Sequence, residues 1–122
     1  MIEIDIEGGD EPVLRRAAEA ALEAAGVPDG HLSIAFVGEQ DIHRLNRDHL
    51  GRDAPTDVLS FPIDGPGEVV GPRELGDVMI CPERTEDLIE AVVHGVLHLC
   101  GYDHETDRGE MLSLQRRVMR SL

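Results

Sequence analysis

Three of the six histidines fall within one short segment, His94-Gly-Val-Leu-His98-Leu-Cys-Gly-Tyr-Asp-His104, spaced four and then six residues apart. Residues i and i+4 share a helical face, so His94 and His98 can present two imidazoles to one point. Gly101 can adopt the left-handed conformation that ends a helix, and the chain can then return His104 to the same point. Three neutral nitrogens with one position left to solvent describe a catalytic metal site rather than a closed structural one. Imidazole ligands suit Zn, which is the expected ion; Ni, Co, Cu and Fe share the ligand preference. A lone histidine in an apolar helix is ordinarily a hydrogen-bonded core or surface residue, but three at this spacing around a helix-stopping glycine are a ligand set.

The elements that must hold these rings can be traced along the chain. Ile2, Ile4 and Ile6 alternate with acids, the period of a half-buried strand. Asp10 with Pro12 starts a helix that Gly26 stops, with Val13, Leu14, Ala17, Ala21 and Leu22 on its apolar side. Leu32 to Val37 is a buried strand, and Glu39 to about His49 a second helix with Ile42, Leu45 and Leu50 turned inward. Gly51 to Pro55 forms a loop. Val58 to Phe61 and Gly76 to Ile80 are short strands, each halted by a proline, and the turn-rich stretch from Asp64 to Pro72 lies between them. Thr85 to Cys100 is the third helix, apolar nearly all round and therefore central. A fourth runs from about Thr106 to the end, packing Met111, Leu112, Leu114, Val118 and Met119 inward.

A chain of 122 residues is a single domain spanning residues 1–122. Phe36, Phe61 and Tyr102 are its whole aromatic set, so the core is aliphatic. The formal charge is −14, and all 11 of its Lys-plus-Arg residues are arginine. Such a protein repels nucleic acid at long range, so an RNA-directed role requires a local cluster of arginines or a partner. Cys81 and Cys100 are too few for a disulfide framework and read as buried free thiols in a reducing compartment. With no apolar run of signal or membrane-spanning length, the sequence reads as cytoplasmic and not bound to a membrane.

The ligand spacing is that of the long zinc-protease motif H-E-x-x-H-x-x-G-x-x-H, except that Gly95 replaces the general-base glutamate, which disfavours peptide hydrolysis. The histidine segment, the run Asp53-Ala-Pro-Thr-Asp57-Val-Leu-Ser-Phe-Pro62, and Leu75-Gly-Asp77-Val ahead of the metal helix together resemble the YbeY family of bacterial endoribonucleases acting in ribosomal RNA maturation. The resemblance covers nearly the whole chain. It implies an α+β fold with helices packed on a mixed four-stranded sheet and a zincin-like metal helix, and a metal cleft formed by His94, His98 and His104. The connection between Cys81 and the metal helix is shorter than in typical members. Where members usually carry an arginine before the glycine of the Gly51 loop, this chain has Leu50; Arg52 or Arg47 can supply charge from nearby.

The resemblance leads to a metal-dependent, single-strand-specific endoribonuclease that takes one Zn ion per chain and acts on RNA, with ribosomal RNA or the small ribosomal subunit as partner. Three neutral imidazoles leave the ion's charge for a bound water, whose pKa can fall to about 7, and the same ion can polarise a phosphoryl oxygen. Scarce aromatics argue against base stacking, leaving phosphate, the 2′-hydroxyl and shape as recognition features. Asp103, beside the third ligand, is the candidate catalytic acid, as an imidazole-orienting partner. Asp57 and Asp77 lie at strand ends that can face the cleft. Arg44, Arg47 and Arg52 can form a positive rim. His31, His43 and His49 lack ligand spacing and read as surface residues, and Ser60 has no base to activate it. The competing functions are a ribosome-assembly or RNA-binding factor with a mainly structural metal and, disfavoured by Gly95, a metallopeptidase.

Overall fold

Alternation in the first strand and helical spacing in the first helix decide how the chain begins to bury itself. In a computed structural model describing residues 2–8, 11–64 and 71–122, strand β1 spans Ile2–Glu7 and buries Ile4. Helix α1, Glu11–Ala24, buries Leu14, Ala17, Ala18, Ala21 and Leu22. Those five positions follow an i, i+3, i+4, i+7, i+8 stripe, and Val13 falls outside it and is exposed. The expected helix start at Asp10 and residues 65–70 of the turn-rich stretch lie outside the described residues.

Strand β2 is Gly30–Phe36, helix α2 Glu39–Leu50, strand β3 Val58–Pro62 and strand β4 Glu74–Ile80. The sheet order is β1-β2-β4-β3; β1, β2 and β4 run parallel, while β3 is antiparallel to β4. Helix α3 is Leu88–Leu99 and helix α4 is Glu110–Ser121. The result is the mixed four-stranded α+β architecture that the resemblance implied. One continuous core joins α1, α3 and α4 to one sheet face through Leu32, Ile34, Val78, Ile80, Val92 and Val96. A smaller cluster of Ile42, Leu59 and Cys81, with Leu45, Phe61 and Met79 against it, seats α2 on the other face.

Two helix starts differ from the sequence expectation, and side-chain hydrogen bonds explain both. Pro82–Arg84 forms a 3₁₀ turn, and the Thr85 hydroxyl donates back to the Cys81 carbonyl at 2.7 Å. Asp87 instead caps α3, accepting from the Glu90 N–H at 3.1 Å. Similarly, Asp107 accepts from the Gly109 and Met111 N–H groups, so α4 starts at Glu110 rather than near Thr106. Two leucines expected inside are exposed: Leu112, which lies off the Met111, Leu114, Gln115, Val118 stripe, and Leu50 at the end of α2. Both cysteines are free, as expected.

His31, read as a plain surface residue, is a half-buried cross-strand staple. Its Nε2 lies 2.7 Å from an Asp5 carboxylate oxygen on β1, and its Nδ1 lies 2.7 Å from Glu74 on β4. Two carboxylates at opposite ring nitrogens are both served only by the imidazolium, so the bond to Asp5, and next that to Glu74, raises the His31 pKa. A folded-state pKa above the unfolded value of about 6.5 stabilises the fold fully below that pH. The contribution disappears as pH rises through the raised folded value. The melting-temperature gap between the wild type and His31→Gln should therefore be widest in mild acid and close in alkaline buffer. A gap that stays constant across that range would show that the staple does not act through its charge.

Candidate metal centre

Helix α3 can carry two imidazoles into a cleft because it lies unusually close to the sheet. A Cβ on Gly95 would stand 2.5 Å from Val78 Cγ1 and 3.3 Å from the Ser60 oxygen. The Ser60 hydroxyl donates to the Gly95 carbonyl at 2.9 Å, pinning β3 to the helix. Ser60 is thus engaged with backbone, consistent with its having no nucleophilic role.

The helix ends as its sequence requires. Gly101 has φ +99°, its N–H donates to the His98 carbonyl, and the Tyr102 N–H donates to that of Leu97. The following turn closes on the Asp103 carbonyl, which accepts from Thr106 and Asp107. This reversal brings His104 back over the helix. The His94 and His98 rings are 4.7 Å apart between centroids, and His104 lies 5.1 and 5.2 Å from them. One ring nitrogen from each of the three falls within 4.8 Å of the others.

Hydrogen bonds define which nitrogens are available. The His98 Nδ1 donates to the Tyr102 carbonyl at 2.9 Å, and a carbonyl can only accept, so Nδ1 carries the proton and Nε2 is bare. Burial first, and then the neighbouring His94, lower the His98 pKa and favour this neutral form. The His94 Nδ1 is 2.8 Å from the side-chain oxygen of Gln115 on α4. The His104 Nδ1 is buried with no partner, an orphaned polar atom of the kind that a bound ion or its surroundings would satisfy. Three imidazoles converging on one point fit a divalent metal ion. Among the described residues this is the group placed to hold one. Cys100 adds nothing to it: burial pushes its thiol up to about 11, away from the thiolate a metal needs.

The histidines line an open cleft of about 640 Å³ whose facing wall includes Asp57, Leu59 and Ser60. Asp103 borders it, but its carboxylate accepts from the Glu105 N–H at 3.0 Å and bonds to none of the imidazoles. The orienting contacts come from the Tyr102 carbonyl and from Gln115, which the sequence reading did not single out. The available signal was a polar amide placed in the apolar stripe of α4. Asp57 lies in the cleft, where its carboxylate accepts from the Val58 N–H at 2.8 Å. Asp77 faces a separate depression on the other side of the sheet with Asp5 and Ser33. Arg52 reaches the cleft, 3.6 Å from the Glu105 carboxylate. Arg47 pairs with Asp48 and Arg44 with Asp41, and neither lines the cleft. Leu50, expected to turn inward, is 48% exposed at its edge.

A family model described as Endoribonuclease YbeY matches residues 5–122. The chain belongs to the YbeY family. A protein named Endoribonuclease YbeY from Chloroflexus aurantiacus is 40% identical, with 95% of this chain and 89% of that protein covered. One of the same name from Rubrobacter xylanophilus is 50% identical over 76% of this chain and 68% of its own length. The solution structure of a Thermotoga maritima protein, 30% identical, superposes with a TM-score of 0.59 over 98% of this chain and 87% of that one.

Position 95, where the protease motif carries its glutamate, points into the sheet rather than the cleft. Val78 is buried and β-branched, so it has little freedom to yield to a larger residue. Gly95→Ala should destabilise the protein by about 1–3 kcal/mol in urea unfolding, despite alanine's better helix propensity. Gly95→Glu should be worse and confer no peptidase activity. A stabilised alanine variant would show that the helix is not held at this distance by the missing side chain.

Proposed function

We propose that this protein is a metal-dependent endoribonuclease that cleaves single-stranded RNA in the maturation of small-subunit ribosomal RNA. The observation that carries the reading is the convergence of His94, His98 and His104 at an open cleft, in a chain of a family described as endoribonuclease. The donor set favours Zn. When bound, such an ion lowers the pKa of a water towards about 7 and polarises a phosphoryl oxygen, the two requirements of phosphodiester hydrolysis.

The chain's own residues supply the rest. The Tyr102 carbonyl holds the His98 proton away from the convergence point. Arg52, at the cleft edge, is the contact for a substrate phosphate, and Arg47 on the last turn of α2 adds a cation for a strand extending beyond the cleft. Asp103, exposed at the cleft, is the proton acceptor or donor in reach of solvent. With Tyr102 as the one Phe, Tyr or Trp among the described residues lining the cleft, and the imidazoles turned to the metal position, recognition rests on backbone and shape, giving weak sequence selectivity. No helix among the described residues is long and apolar enough to cross a membrane, which accords with work in the cytoplasm on ribosomal RNA.

A second reading, a ribosome-assembly factor with a mainly structural metal, is favoured by the cleft's rim. Asp57, Asp103 and Glu105 line it, and Leu50 replaces the arginine usual in the family. Metal analysis paired with cleavage of a structured RNA separates the two. His98→Ala should lose the metal and lower cleavage by about 100-fold or more. Wild-type protein that holds metal and binds RNA without cutting it would establish the second reading; cleavage unchanged in a metal-free variant would remove the hydrolytic assignment. Product ends report the attacking group: a 5′-phosphate indicates water, and a 2′,3′-cyclic phosphate the RNA's own hydroxyl.

Leu50→Arg tests the substrate path. One added phosphate contact should tighten RNA binding and steepen the dependence of log K on log salt by about 0.7. Unchanged affinity and slope would take the Leu50 edge out of the path of the RNA.

A further inference from the structure

We infer that Gln115 is a positioning residue of the metal centre, its side-chain oxygen fixing the tautomer and rotation of His94 and so coupling helix α4 to the ligand geometry. The inference rests on the reading of His94, His98 and His104 as metal ligands and extends it to a residue outside the histidine segment.

Gln115 is 9% exposed and stands in the stripe of Met111, Leu114 and Val118 that packs α4 into the core. A primary amide in that position is unfavourable unless it is hydrogen-bonded. Its partner is the His94 Nδ1, 2.8 Å away and 21 residues distant in sequence. The amide oxygen accepts, so Nδ1 is the protonated nitrogen and Nε2 keeps its lone pair for the convergence point. His98 has the same arrangement from a different source: its acceptor is the Tyr102 backbone carbonyl, present whatever side chain occupies position 102. The orientation of His94 instead depends on one replaceable side chain. Without it the ring can protonate at Nε2 and present a hydrogen where a lone pair is needed. Loss of such an outer partner typically lowers metal affinity about 10–100-fold. A neutral amide holds the tautomer while adding no charge, leaving the site with three neutral ligands.

The test uses the full chain, zinc alone as the probe, and three readouts: zinc affinity by chelator competition, the His94 tautomer from nitrogen chemical shifts in the zinc-free protein, and zinc-free thermal stability. Gln115→Leu, similar in volume but without the acceptor, should bind zinc about 10–100-fold more weakly. Its His94 should shift from the Nδ1–H form to a mixture, with zinc-free melting unchanged or raised. Gln115→Glu retains an acceptor of the same reach and should keep the Nδ1–H form and bind zinc at least as tightly as the wild type. If the leucine variant binds zinc as tightly as the wild type, Gln115 is only a packing residue and the inference fails. Should that variant not fold, the glutamate variant decides, because weakened zinc binding or a lost Nδ1–H form there overturns it equally. A wild type that binds no zinc refutes the three-histidine reading itself, which separates the two failures.

Discussion

Helix α3 lies so near the sheet that the residue following its first histidine has no room for a side chain. Gly95 sits against Val78 and Ser60, and Gly76 on β4 lies below Leu99 at the other end of the same contact. A Cβ on Gly76 would be 2.2 Å from the Phe61 carbonyl, and its φ of +135° already requires glycine. These two close approaches fix the height of the helix over the β3–β4 pair. The line along which His94 and His98 leave it is fixed as a result, so β3 forms the opposite wall of the cleft. The same packing separates this centre from the protease that shares its ligand spacing. The position that carries a catalytic glutamate there is here an interior contact with the sheet.

Ligand direction is then set from the C-terminal side. The glycine that ends α3 turns the Tyr102 carbonyl back onto His98, so helix termination and ligand orientation are one structural event. Asp107 accepts from the Met111 N–H in the first turn of α4, the helix whose buried stripe brings Gln115 to His94. His104 receives no comparable bond, and its direction comes from the turn that closes on the Asp103 carbonyl. Three rings are therefore held by a backbone carbonyl, a side-chain amide and a turn. All three devices lie within the last 22 residues that follow Cys100, or on the helix just before them.

The ligand set was legible because i, i+4 spacing and a helix-ending glycine are local signals. The stripe of α1 and the alternation of β1 were legible for the same reason. Asp77 alternates with Val78 and Ile80, which places it on the face opposite them, but only the assembled sheet shows that α3 lies on the Val78 side. Helix starts were harder to read. Thr85 and Asp87 compete for one helix and Thr106 and Asp107 for another, and the outcome depends on hydrogen bonds that sequence spacing does not rank. Leu112 is apolar yet exposed because it lies off its helix's stripe, and Leu50, although in line with Ile42 and Asn46, is exposed because α2 ends there at the cleft edge. The role of Gln115 is not legible in the sequence because its partner is distant in the chain. Its position in an apolar stripe says that it needs a partner, without saying which.

The charge of −14 sets a problem for any protein that handles RNA, and the phosphate contact proposed for Arg52 would meet it locally. At physiological ionic strength charges are screened over about 8 Å, so at contact range a phosphate senses the cleft rather than the whole surface. There Arg52 faces Glu105 at 3.6 Å, and both side chains are more than half exposed. Exposed pairs of this kind contribute about 0–1 kcal/mol, so exchanging Glu105 for a phosphate oxygen sacrifices little. A guanidinium can also engage phosphate through two parallel hydrogen bonds, which a single oxygen contact with Glu105 does not match. The acidic surface thus disfavours indiscriminate capture of nucleic acid from a distance while leaving a cation free to change partners at the site. That combination suits an enzyme reaching strands already held close to it, and it places the burden of affinity on the cleft and on whatever presents the RNA.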